Sequence, residues 1–263
     1  MPDLFSGRSL ELVGNDVPRK MIIHDITRLI VLLTYVYKGM RVLKFIKLYV
    51  IMLLCLSVFP ACGTKSAFSE EELINVLQKP TVMITVGSSH ASGVIIRNDD
   101  NGIVLASVTH LLNGYEQGII RFADGHAGFA DVAYCDEKSD ITLLTIKRSD
   151  MDAEFADSLA TVVCDEAAYD ALATDDTVYV VGSAVDVAAN VTKGTFKEKD
   201  YYVPEFDQYL LYLYCDSFPG MSGAGVYTTE GAFIGLVAGG SDNSETVVIE
   251  LPDILKALDS LKR

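Results

Sequence analysis

The amino-acid sequence predicts an all-β protein of two six-stranded Greek-key barrels, with a short helix before the first and another after the second. Two observations carry this. Between residues 80 and 148, six short β-rich runs follow one another within about 66 residues, separated by turn signals. After an acidic, alanine-rich connector over 149–175, residues 176–263 show the same texture, six more runs punctuated by glycines.

In chain order, Ser69 followed by Glu70, Glu71 and Glu72 starts a helix running through about Gln78: a serine cap, acids in the first turn, then Leu73, Val76 and Leu77 on one face. Beyond Pro80 the strands of the first barrel are expected at 81–86, 92–96, 103–108, 118–122, 129–133 and 141–146. Their turns fall at Asn98–Gly102 and Asp124-Gly125. Within the connector a helical turn is expected around Glu166–Leu172. The second barrel draws on 177–181, 190–195, 210–213, 223–227, 232–238 and 246–249. A closing helix over Pro252–Leu261 carries Ile254, Leu255, Leu258 and Leu261 as one stripe that packs on the second barrel.

Charge and cysteines exclude several functions. Residues 1–61 hold eight of the 21 Lys/Arg and four of the 36 Asp/Glu, leaving residues 62–263 with 13 basic against 32 acidic, a net of −19. Such a surface repels phosphate backbones, so nucleic acid is not an expected partner. Cys135, Cys164 and Cys215 lack the spacing of a disulfide framework or zinc site and read as small buried hydrophobes. No CxxC or HExxH occurs, so neither a metal nor a redox cofactor is expected.

The N-terminal region reads as export machinery. Arg41, Lys44 and Lys47 form a basic patch after Met40, and Leu48–Ala61 is a 14-residue stretch without charge, short for a membrane span. Phe59-Pro60-Ala61-Cys62-Gly63 ends it and resembles a bacterial lipoprotein signal, which implies lipidation of Cys62; Phe59 and Pro60 depart from that pattern. The alternatives are an ordinary signal peptide or an uncleaved anchor. Residues 40–61 are thus the signal, 62–79 a linker plus the short helix, and 1–39 an extension or a mis-assigned start. The mature chain is expected outside the cytoplasm, on a bacterial cell membrane through lipid or signal anchor, or secreted.

Three segments carry chemistry. His110 ends the apolar run Val104–Val108, Asp140 stands just before Ile141–Leu144, and Ser222 lies among glycines in Pro219-Gly220-Met221-Ser222-Gly223-Ala224-Gly225. A serine hydroxyl needs a base to become a nucleophile; an imidazole supplies it, and a carboxylate fixes its tautomer. Glycines let the backbone turn and present N–H groups to an oxyanion. The order His, Asp, Ser with GxSGxG resembles the trypsin-like serine proteases of the chymotrypsin clan, most of all the bacterial HtrA/DegP-type protease domain. Ser92–Ile96, Arg121–His126 with Ser139–Ile141, Tyr179–Ser183 and Asn190–Gly194 are similar to further stretches of that branch, over roughly residues 80–255.

The resemblance implies a serine endopeptidase acting on protein or peptide substrates. His110 would be its general base and acid, Asp140 the orienter and Ser222 the nucleophile, with the N–H groups of Gly220 and Ser222 as oxyanion hole. Leu236, Val237 and Ala238, continuing into Gly239, would pair with the substrate backbone. Asp216 stands six residues before Ser222, where trypsin places the acid that selects Lys or Arg; HtrA-like members carry a comparable Asp, differently spaced, without that role. No histidine follows His126 to read Glu. Met221, Ala224 and Thr109 depart from the family pattern, and no PDZ domain is implied. A catalytically inactive binding module of the same fold is the alternative.

Overall fold

The computed structural model describes residues 69–183 and 189–261, together with Arg28. The expected signal over 40–61, the question of where the chain starts, and Cys62 lie outside the described residues. The chain divides into two compact units, 1–64 and 65–263, and everything below belongs to the second.

Helix α1 spans Glu70–Gln78. Ser69 caps it reciprocally: its hydroxyl accepts from Glu72 N–H at 3.3 Å, and the Glu72 carboxylate accepts from Ser69 N–H at 2.8 Å. Leu73 and Leu77 are buried, whereas Val76, expected on the same face, is 40% exposed. The contact is one side chain wide per turn, so only the positions four apart reach it.

The first barrel closes from β1 (Thr81–Val86), β2 (Ser89–Asp99), β3 (Gly102–Val108), β4 (Gln117–Phe122), β5 (Ala127–Asp136) and β6 (Ile141–Lys147) in the order β1-β2-β3-β6-β5-β4, every pair antiparallel. β3 is buried at every position, while β4 alternates exposed and buried as a half-covered strand should. In the connector, α2 (Ala153–Ser158) is capped by Asp152 and α3 (Glu166–Asp170) by Asp165, with β7 (Val163–Cys164) between them.

The second barrel is built from β8 (Thr177–Gly182), β9 (Asn190–Val203), β10 (Gln208–Tyr214), β11 (Gly225–Thr228), β12 (Ala232–Gly240) and β13 (Glu245–Glu250). Its order β8-β9-β10-β13-β12-β11 is closed by β11–β12 pairing and repeats the topology of the first, with β7 added parallel to β12. The sequence expectation ends the second of these strands at 195, but β9 runs on to Val203, an outer half that is mostly exposed and is held by pairing with β10. β11 begins at Gly225, not 223, since the glycines before it turn rather than extend.

Helix α4 (Leu251–Ser260) packs against β12 and β13 and also reaches β6 of the first barrel. Leu251, Ile254 and Ala257 are buried beneath it, with Leu255, Leu258 and Leu261 partly buried. Ile254→Ala should therefore lower unfolding free energy by about 2–5 kcal/mol, read as a reduced denaturation midpoint at unchanged slope.

Candidate active site

His110 sits in a 3₁₀ turn, Thr109–Leu111, into which the wholly buried β3 runs. β3 pairs with β6 in a register that sets Val108 opposite Ile141, so the residue before β6 falls beside the residues after β3. That residue is Asp140. Its main-chain carbonyl accepts from Thr109 N–H at 3.1 Å, one carboxylate oxygen accepts from His110 N–H at 2.9 Å, and the other lies 2.7 Å from His110 Nδ1. Asp140 adopts φ +55°, a left-handed conformation that aspartate tolerates better than most side chains. The carboxylate is 11% exposed and the imidazole 48% exposed. With Nδ1–H donated to the carboxylate, the Nε2 lone pair is free for a proton.

The turn ahead of Asp140 is tied as well. Asp136 accepts from the Ser139 hydroxyl at 2.7 Å and from Lys138 N–H at 3.0 Å. The Ser139 bond above all holds the Asp136 carboxyl below its usual range, against the opposing effect of burial. Beside the pair opens a cavity of about 960 Å³ whose wall includes Leu112, Tyr115, Tyr134 and Glu137.

Ser222 is half-buried in the loop between β10 and β11. Gly220 and Gly223 take φ +93° and +79°, which L side chains rarely adopt. A Cβ at Gly223 would stand 2.1 Å from the Ser92 carbonyl oxygen and 2.6 Å from Ser107 Oγ, so this loop lies directly against β2 and β3 of the first barrel. Ser107 precedes His110 by three residues on the same run. The Ser222 hydroxyl makes no hydrogen bond with the imidazole.

Alternate peptides of the loop are held from opposite sides. The carbonyl of Gly220 accepts from the Ser92 hydroxyl at 3.0 Å and that of Ser222 from Ser92 N–H at 2.8 Å. Met221 N–H donates to Phe218 and Gly223 N–H to Val237, at 2.9 and 2.8 Å. Among the described residues the N–H groups of Gly220 and Ser222 have no acceptor. Those are the two the sequence singles out for an oxyanion.

Ser92 itself was not singled out as a site residue. It is fully buried, its hydroxyl also accepts from Ser183 N–H at 2.9 Å, and its carbonyl accepts from the Ser107 hydroxyl at 2.7 Å. The available signal was a serine heading an apolar strand run, where a hydroxyl is costly unless fully bonded.

The remaining expected residues divide. Asp216 is exposed and its carboxylate takes the Ser244 hydroxyl. Leu236 pairs with Gly225 and Ile249, and the Val237 peptide groups bond Ala224 and Gly223, so both are already occupied. The edge of β12 facing the Ser222 loop is unpaired, among the described residues, only from Ala238 onward. Met221, Ala224 and Thr109 are buried where they stand. His126 forms a second pair with Asp124 at 2.8 Å, but it is exposed and stacks on Phe155 at 4.3 Å. Of the cysteines, Cys215 is buried and its thiol pushed up to about 12 by burial, Cys164 is half-buried, and Cys135, expected inside, is exposed.

Comparison with known proteins bears on this geometry. The family model described as the trypsin-like peptidase domain matches residues 91–236. The fold is similar to the serine endoprotease from Yersinia pestis, with 19% identity and a TM-score of 0.60 over 74% of this chain and 66% of that one. It is likewise similar to the HtrA-type protease AlgW with tripeptide, at 20% identity and a TM-score of 0.62 over 74% of this chain and 64% of that one. The chain thus spans just under two thirds of these relatives. No curated protein matches it.

Ser92→Ala removes the hydroxyl shared by Ser183 and Gly220 and leaves a buried N–H unpaired. A loss of about 1–3 kcal/mol in stability is expected, measured by chemical denaturation.

Proposed function

Because this chain belongs to the trypsin-like peptidase domain family, we propose that it is a serine endopeptidase working through His110, Asp140 and Ser222. The observation that carries this is the pairing of a 2.7 Å His110–Asp140 contact with N–H groups at Gly220 and Ser222 that have no acceptor among the described residues. Ser222 Oγ attacks the scissile carbonyl while His110 Nε2 takes its proton. Asp140 holds the imidazole's tautomer and stabilises the charge it acquires. The carbonyl oxygen, now negative, receives the two N–H groups; losing one such donor typically costs about 3–4 kcal/mol. His110 returns the proton to the leaving amine, an acyl-enzyme remains, and water reverses the sequence.

The Ser222 hydroxyl makes no hydrogen bond with the imidazole in the free protein, and such bonds commonly tighten only when substrate binds. A polypeptide substrate lies antiparallel along the free stretch Ala238–Gly240 of β12, shifting the expected pairing stretch toward Gly240. The basic and then uncharged stretch over 40–61 supports a mature chain outside the cytoplasm, anchored by lipid on Cys62 or secreted.

A second reading, a binding module without turnover, draws on that missing Ser222–His110 bond. One experiment separates the two. Wild-type protein should label with a fluorophosphonate and the Ser222→Ala variant should not; a folded wild type that stays unlabelled sinks the hydrolase reading. Asp140→Asn should lower turnover by about 10⁴-fold through the wrong tautomer, with folding checked by circular dichroism. In a bacterial host, Cys62→Ser should abolish incorporation of radiolabelled palmitate; unchanged incorporation would remove the lipid anchor from the proposal.

A further inference from the structure

Each member of the His110–Asp140 pair follows a hydroxyl residue, and both hydroxyls donate to Asp136. Ser139, just before Asp140, gives its hydroxyl to the Asp136 carboxylate at 2.7 Å. Thr109, just before His110, gives its hydroxyl to the Asp136 main-chain carbonyl at 3.3 Å. Lys138 N–H adds a further bond to the carboxylate at 3.0 Å. Asp136 ends β5 and pairs with Ile141, the first residue of β6, so only Glu137–Asp140 turn between them. The Ser139 bond above all keeps the Asp136 carboxyl below its usual range, which makes it an ionised acceptor at neutral pH.

Asp140 needs such a brace. Among the described residues its carboxylate is engaged by His110 alone, through the main-chain N–H at 2.9 Å and Nδ1 at 2.7 Å. No third residue holds it from the far side, so its line on the imidazole follows its own main chain. That main chain stands at φ +55°, a sparsely populated conformation that persists only where the surroundings fix it. We infer that Asp136 is a positioning residue: through Ser139 and Thr109 it fixes the turn at Asp140 against the turn at His110, and so aims the carboxylate at Nδ1. Its effect on rate rests on the peptidase reading above. Among the described residues Asp136 makes no hydrogen bond with His110 or Ser222, so it acts through the neighbours that bond it.

Ser139→Ala and Thr109→Ala each delete one hydroxyl, and Ser139→Thr and Thr109→Ser give it back. Saturation kinetics of fluorophosphonate labelling separate binding of the probe from the chemical step. Ser139→Ala should slow the chemical step by about 10- to 100-fold, the cost of a slightly misplaced reacting group, with probe binding unchanged. Thr109→Ala should act in the same direction, and the two conservative variants should recover most of the rate. With Asp140→Asn already present, Ser139→Ala should slow labelling no further, although it still lowers the denaturation midpoint. A second measurement needs no turnover. In Ser222→Ala protein the downfield proton resonance of His110 Nδ1–H, identified by its loss in Asp140→Asn, should move upfield with Ser139→Ala and return with Ser139→Thr. A wild type that never labels would count against the peptidase reading alone, and the resonance would still decide this one. An unmoved resonance, labelling of Ser139→Ala at the wild-type rate, or an equal slowing on the Asp140→Asn background would each overturn the inference.

Discussion

Ser92 joins the two barrels at the point where chemistry is proposed. It sits in β2 of the first barrel, yet its N–H and hydroxyl hold the Ser222 and Gly220 carbonyls, and its hydroxyl accepts from Ser183 of the second. A peptide plane has its carbonyl and its N–H on opposite sides. The bonds from Ser92 fix the carbonyls of residues 220 and 222 and, across the same planes, the N–H groups of Met221 and Gly223, which donate to Phe218 and Val237; among the described residues the N–H groups of Gly220 and Ser222 keep no acceptor. No acidic side chain before Ser222 is used to hold the loop; buried Met221 occupies that position instead. The arrangement needs complete burial of Ser92, because a hydrogen bond competing with water would fix nothing.

The His110–Asp140 pair is organised by a different device, the register of one barrel. β3 and β6 run side by side through seven paired positions. The turn beyond one and the residue before the other must then meet, and three hydrogen bonds accepted by Asp140 use that meeting. The carboxylate is almost enclosed while the imidazole stays half open, so the pair has a buried anchor and a solvent-facing edge. Ser222 and His110 therefore come from separate barrels, and α4, packed on β12, β13 and β6, helps to keep those barrels together.

The two barrels share one strand order although no repeat is visible in the chain. Closure requires only alternating or continuous apolar runs of suitable length with turns between, and many sequences meet that requirement. Hence all twelve barrel strands could be placed from pattern, while their ends were missed wherever burial changed along a strand, as in the second half of β9. The two-residue β7 and the one-turn α2 left no periodic signal, since two to six residues are too few to show a period. Cys135 was expected inside because an isolated cysteine carries no pattern at all; it lies on β5, whose alternate positions face water.

Residue types and their order along the chain determined the fold class, both end helices and the glycine turns around Ser222, for each rests on local preference or periodicity, and the three side chains offered as a triad follow from the order of their motifs and the resemblance these carry. Tertiary structure alone decided that Asp140 reaches His110, that Ser92 clamps the loop, and that Leu236 and Val237 are already occupied. Each of those depends on hydrogen bonds or contacts between residues far apart in the chain. Their distances are set by barrel closure and strand register, which no stretch of sequence contains by itself.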